Sequence, residues 1–412
     1  MSVEGPKNPK RRDFLKQTGA VAAVVTLGIG AGELLRKERN QVRINKKPKS
    51  ANMNENKLEK RSDPFESNFK KREKVDIPGG SVDVVDIPAR QGNEKNPMVL
   101  SPAWGMSPEV YKYVLKGFND MGRRTLSFAY PSEGGTSKLP PQEQSLVEAV
   151  PPEELRDALT LMSVLESQDV ENAGIVGHSK GGASAAIAAL LFAERAARGE
   201  GKKRIANLIL FAPAGLIGKD NVARVGYGFA MQKSNRGQQS ESFKAIPVSD
   251  EERTAAAAEG RTIAEYAAIP NTAEDAEGGA AAGAALGSHI KESGFSRTTE
   301  EVWGLSSIRI HTLFRELKKH GIGITVMTGV DDPVFPTGKM TSTISAQLTP
   351  EEKTLDYEKK IDAVSEKIVD GVLTIRAEHG IPVPYAGIIE GQLSALEAKQ
   401  KRAAATSGTS GE

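Results

Sequence analysis

The chain has 412 residues, and its 55 Lys+Arg against 53 Asp+Glu conceal an asymmetry: residues 1–75 hold 19 basic and 9 acidic groups, the remainder 36 and 44. An acidic body is a poor partner for the phosphate backbone, so no nucleic-acid binding is expected. With no cysteine, disulfides, thiolate metal sites and thiol nucleophiles are excluded; five histidines leave little room for a histidine-rich metal site, and no metal or cofactor is expected.

The N-terminus has the layout of an export leader: Lys10-Arg11-Arg12-Asp13-Phe14-Leu15-Lys16, then Thr18-Gly19 and an apolar stretch from Ala20 to Ala31. The order R-R-x-F-L-K ahead of a weakly hydrophobic, Gly/Ala-rich run resembles the bacterial twin-arginine leader. That resemblance implies recognition by twin-arginine export machinery and delivery of a folded protein to the periplasm or beyond. An ordinary secretory leader or a basic tail is the plainer alternative. The apolar run is short of the ~20 residues that span a bilayer, which makes an uncleaved anchor the weaker reading. Residues 1–35 are assigned to this signal. Residues 36–75 carry 14 basic and 6 acidic groups and few apolar ones, the composition of a solvated linker. Its positive charge would also favour weak contact with an anionic membrane surface.

From Val75 short β-prone runs alternate with helical stretches. Strands are expected at Val82–Ile87, Met98–Ser101, Arg124–Ala129, Gly174–Gly177, Leu208–Ala212, Ile322–Thr328 and Val372–Ile375. Helices are expected at Glu109–Gly117, Glu153–Ser167 and Gly182–Ala197. This alternation predicts an α/β fold with a mostly parallel sheet covered on both faces. The rhythm breaks over residues 218–320, which read as a helical cap inserted between core parts 76–217 and 321–395. Within the cap, Thr254–Ala258 and Thr262–Ala268 look helical, and Ala276–Gly287 reads as a flexible, gate-like run. A helix over Ser306–Lys319 would dock Ile310, Leu313, Phe314 and Leu317 on the sheet. Residues 396–412 read as a disordered tail.

The motif that carries chemistry is Gly177-His178-Ser179-Lys180-Gly181, a G-x-S-x-G between an apolar strand and a helix. A serine there must make a sharp, strained turn, and the residues two before and two after it must be small to avoid collision. Both are glycine, and Gly182 and Ala183 extend the small patch.

With this elbow the body resembles the α/β-hydrolase family over roughly residues 76–217 and 321–393. The family's chain order is nucleophile, acid, histidine. Gly329-Val330-Asp331-Asp332-Pro333 resembles its G-x-x-D turn, which implies Asp332 as the acid, with Asp331 as the rival. Of the histidines, His178 sits in the elbow pointing away from the reaction, His289 is in the cap, His311 on the docking helix and His320 before a strand. His379 alone follows the last strand, in a loop resembling the family's. The long spacing from Asp332 to His379 fits an additional helix within Glu351–Lys367.

Serine hydroxyl is too weak an acid to attack unaided, so His379 would take its proton and Asp332 would orient the imidazole. One donor to the oxyanion would be the backbone N–H of Lys180. The second would come from Pro102-Ala103-Trp104-Gly105-Met106-Ser107, where the family's pattern implies Met106, with Trp104 as the neighbouring alternative. The function implied is hydrolysis of a small-molecule carboxylic ester through an acyl-serine intermediate. The alternatives are an acyltransferase or cofactor-free perhydrolase on the same fold, or a binding protein on a hydrolase scaffold.

Overall fold

In this computed structural model the described residues are 63–90, 95–131, 139–218, 220, 224–225, 228, 273–329, 332–375, 379–381 and 385–408. The expected leader, most of the expected linker, the helical pieces at Thr254–Ala258 and Thr262–Ala268, and Asp331 lie outside them.

Eight strands form one sheet: β1 (Glu73–Ile77), β2 (Gly80–Ile87), β3 (Met98–Ser101), β4 (Thr125–Phe128), β5 (Ala173–His178), β6 (Ile205–Phe211), β7 (Gly323–Gly329) and β8 (Gly371–Ile375). Their order is β1-β2-β4-β3-β5-β6-β7-β8. β2 pairs antiparallel with both β1 and β4, and every other pairing is parallel. β3 to β7 are buried along their whole length, as strands covered on both faces must be, whereas β1 alternates. Because β3 and β5 to β8 run the same way, the segments that follow them emerge at one edge of the sheet. That edge holds the candidate site.

The α-helices are α1 (Pro64–Lys70), α2 (Lys112–Asp120), α3 (Pro141–Leu146), α4 (Pro152–Ser167), α5 (Lys180–Ala197), α6 (Ala273–Ser307), α7 (Phe314–Lys319), α8 (Thr337–Ala346), α9 (Tyr357–Lys367) and α10 (Ala386–Gly408). α4 and α7 pack on α5, which lies against β3, β5 and β6; α10 lies against α2, β6 and β7. Glycine permits the closest approach: a Cβ on Gly174 of β5 would stand 2.4 Å from Leu393 of α10.

Three expectations are corrected. The linker ends before residue 63, because Phe65 and Phe69, one helical turn apart, stack at 5.6 Å and are buried under α1. The run Ala276–Gly287 is not a flexible segment but part of α6. Alanine has the highest intrinsic helix propensity, and Leu286 and Ile290 pack against the core. The helix breaks only at Gly294, where φ is +72°. The tail is helical through Gly408, since α10 buries Leu393 and Leu396 and carries polar anchors beyond them. Glu390 and Glu397 bind the fully buried Arg123, and Gln400 donates to the carbonyls of Ala206 and Gly321. The docking segment is a 3-10 turn, Ile310–Leu313, followed by α7, and it does bury Ile310, Phe314 and Leu317. Within the charged stretch, a 3-10 turn (Glu352–Thr354) and α9 supply the additional helix.

Candidate active site

Ser179 stands between β5 and α5 with φ +53° and ψ −118°, a left-handed conformation unusual for a residue with a Cβ. Such geometry costs of order 1–3 kcal/mol and persists only where its surroundings impose it. Here they do: Ser179 N–H donates to the Phe211 carbonyl at 3.0 Å, and its own carbonyl accepts from Gly182 at 3.0 Å and Ala214 at 2.9 Å. The flanking glycines leave no room for a side chain. A Cβ on Gly181 would stand 2.2 Å from the Ser101 carbonyl oxygen and 2.4 Å from that of Pro102, and one on Gly177 would stand 2.6 Å from Gly182 Cα.

The structure brings Ser179, His379 and Asp332 together, all buried. His379 Nδ1 lies 2.9 Å from Asp332 Oδ2, and Nε2 lies 2.8 Å from Ser179 Oγ. With Nδ1–H donating to the carboxylate, Nε2 of a neutral imidazole is left to accept the serine proton. Asp332 is itself fixed: Oδ1 accepts the backbone N–H groups of Val334 (2.7 Å) and Phe335 (2.9 Å). The Phe335 ring packs edge-on against His379 at 5.2 Å.

Lys180 opens α5 and places its backbone N–H directly after the serine. In the loop after β3, Met106 N–H donates to the Ala103 carbonyl at 3.0 Å, closing a turn around Trp104 and Gly105. The Trp104 side chain is more than packing: its indole N–H donates to Glu301 of α6 at 2.7 Å. His289, also on α6, donates to the same oxygen at 2.8 Å and meets the Trp104 ring edge-on at 5.5 Å.

Beneath the elbow is a group of buried charges that periodicity alone does not reveal. Lys180 Nζ pairs with Asp157 Oδ2 at 2.7 Å. Burial works against its ammonium, but Asp157 and Glu154 outweigh this and hold its pKa above the usual lysine value. Glu154 is fully buried, and neither carboxyl oxygen has a hydrogen-bond partner among the described residues. Burial pushes its pKa up to about 7 despite the attraction of Lys180. Glu301 goes the other way: burial raises it, but the His289 hydrogen bond, Lys180 and Trp104 prevail and bring it to about 2.

His178 also differs from expectation. Its ring avoids the serine hydroxyl but reaches the base: Nε2 bonds the backbone carbonyl of His379, and the two rings lie 5.3 Å apart. Among the described residues, the one trio with metal-ligand spacing is Glu194, Glu316 and His320, separate from the candidate active site and half-buried, with His320 Nε2 bonded to Glu194 at 2.9 Å.

No protein-family model and no curated protein sequence matches the chain. Solved structures similar to it include an esterase from Exiguobacterium antarcticum, 15% identical, with a TM-score of 0.45 over 79% of this chain and 100% of that one. A hydrolase from Pseudomonas aeruginosa is 15% identical, with a TM-score of 0.44 over 80% of this chain and 99% of that one. A bromoperoxidase from Bacillus anthracis is 14% identical, with a TM-score of 0.41 over 82% of this chain and 98% of that one. The chain itself has the expected α/β architecture, an eight-stranded, mostly parallel sheet in which β2 is reversed.

Proposed function

We propose that the protein is a serine hydrolase of carboxylic esters, with Ser179 as nucleophile, His379 as general base and acid, and Asp332 as the group that orients it. The observation carrying this reading is the continuous hydrogen-bonded line from Ser179 Oγ through His379 to Asp332, at 2.8 and 2.9 Å. Ser179 Oγ attacks the ester carbonyl carbon as its proton passes to His379 Nε2. Asp332 stabilises the imidazolium from the Nδ1 side. The carbonyl oxygen, now an oxyanion, is held by the backbone N–H of Lys180 and by a second N–H from the loop after β3, that of Met106 or Trp104. Collapse breaks the bond to the leaving alkoxide, which takes the proton from Nε2 and departs as the alcohol. Water, deprotonated by His379, then attacks the acyl-serine; the acyl–Oγ bond breaks, the proton passes from Nε2 back to Ser179 Oγ, and the acid is released.

Folded export through the twin-arginine route belongs to the same proposal and rests on Arg11-Arg12-Asp13-Phe14-Leu15-Lys16. The experiment for the chemistry is an ester panel graded in acyl length, run on wild type and Ser179→Ala. Turnover that disappears in the variant supports hydrolysis through Ser179. Turnover that survives, or none in the wild type on any ester, opposes it. Adding competing alcohols or peroxide to the same assay separates hydrolysis from acyl transfer and perhydrolysis.

A further inference from the structure

Two buried polar residues outside the Ser–His–Asp line connect its two sides. Tyr111 ends the 3-10 turn Pro108–Tyr111, just after the loop that holds Trp104, and His178 directly precedes Ser179. Both side chains are almost wholly buried. The Tyr111 hydroxyl oxygen accepts the backbone N–H of Ala103 at 3.0 Å and lies 2.7 Å from His178 Nδ1. On its other side His178 Nε2 bonds the carbonyl of His379.

The proton directions follow from the end groups. A carbonyl only accepts, so His178 carries its proton on Nε2 and donates to His379. In a neutral ring Nδ1 then accepts, and the Tyr111 hydroxyl supplies the proton. The Tyr111 oxygen is thereby free to accept from Ala103. The line runs one way, from the Ala103 amide through Tyr111 and His178 to the backbone of the base. Burial raises the tyrosine pKa far above its ordinary value, which keeps the hydroxyl a donor. Aromatic contacts fix the ring planes: Tyr111 meets His178 edge-on at 5.7 Å, and Phe211 meets the same ring at 5.7 Å.

We infer that Tyr111 and His178 are positioning residues, a hydrogen-bonded strap that sets the backbone of the base against the oxyanion loop. The inference rests on the serine-hydrolase reading above. Its physical basis is that the reacting atoms must be held to within a fraction of an ångström, and a misplacement of ~1 Å can cost ~10²-fold in rate. The strap ties the loop that carries Nε2 to the loop after β3, through contacts outside the Ser–His–Asp line.

The test is steady-state ester hydrolysis by Tyr111→Phe, His178→Phe and His178→Gln, at a temperature well below each variant's unfolding midpoint. Tyr111→Phe removes one oxygen, and His178→Phe keeps a flat ring without either hydrogen bond. Both are expected to lower kcat by roughly 10- to 100-fold with KM within about threefold of wild type. His178→Gln returns an amide N–H near the Nε2 position and is expected to recover part of kcat. Folded variants with wild-type kcat, or a loss confined to KM or to the unfolding midpoint, would overturn the strap. Should a variant fail to fold, wild type with 15N-labelled histidine gives the answer at neutral pH. His178 is expected neutral with its proton on Nε2, and a ring protonated on Nδ1 contradicts the inference. A wild type without Ser179-dependent turnover removes the hydrolase reading and the strap together; normal wild-type turnover with unaffected variants removes the strap alone.

Discussion

Trp104 Nε1 and Glu301 Oε2 are 2.7 Å apart, a buried hydrogen bond that joins the loop after β3 to helix α6. The loop proposed to supply the second oxyanion donor is thus held by α6. Glu301→Ala leaves the indole N–H and His289 without their acceptor. It is expected to cost roughly 1–3 kcal/mol of stability and to lower kcat about tenfold or more. Thermal unfolding and ester kinetics on the purified variant check both effects, and a variant equal to wild type in each would show that the bond positions nothing.

Glu154 and Glu301 give opposite pH dependences. Glu154, raised from 4.5 to about 7, binds a proton more tightly in the folded state, so its contribution to stability is lost as pH rises through about 7. Glu301, lowered from 4.5 to about 2, contributes stability that is lost as pH falls from near 4.5 through about 2. Glu154→Gln is therefore expected to stabilise the protein at pH 8 by on the order of 1–3 kcal/mol, and much less near pH 5. Denaturant unfolding at the two pH values measures the difference. A Gln variant no more stable than wild type at pH 8 refutes the assignment.

Gly181 and Gly283 should respond oppositely to alanine. A Cβ on Gly181 meets two backbone carbonyls within 2.4 Å, neither of which can rotate away. Gly181→Ala should cost about 1–3 kcal/mol or more and sharply reduce Ser179 reactivity, because the elbow must move. Gly283, inside α6, has open space around its missing Cβ. Gly283→Ala is expected to stabilise by roughly 0.5–1 kcal/mol, the gain of a helix interior. No change there, in thermal unfolding, would argue for the flexible run instead of a helix.

For export, replacing Arg11 and Arg12 by lysine is expected to leave active protein in the cytoplasm of a host that has the twin-arginine route. Fractionation followed by esterase assay reads this out. Equal periplasmic activity from both forms would assign the leader to another pathway.

What could be read in advance follows from how tightly each feature is constrained. The meeting of Ser179, Asp332 and His379 was legible because a serine in a strained strand-to-helix turn demands small neighbours, because His379 is the one histidine after the last strand, and because the turn holding Asp332 resembles a known one. Six parallel strands were legible as apolar runs. β1 was hidden in a charged stretch, since only Val75 and Ile77 face the core. The turn that engages the Met106 N–H is closed by a backbone hydrogen bond, which side-chain identities do not encode. The helical spacing over Glu153–Ser167 carries no sign that Glu154 and Asp157 are buried; their burial arises because α5 and α6 cover that part of α4. The last turns of α10 looked like a low-complexity tail, yet Glu397, Lys399 and Gln400 tie them to Arg123, Asp370 and Ala206.

The most direct measurement is intact mass spectrometry after a small fluorophosphonate probe, with the adduct located by peptide mapping. A single adduct on Ser179 is expected, slowed by at least about 10³-fold in His379→Ala and absent in Ser179→Ala. Folded wild-type protein that remains unmodified, or is modified on another residue, would contradict the proposed nucleophile and with it the hydrolase reading.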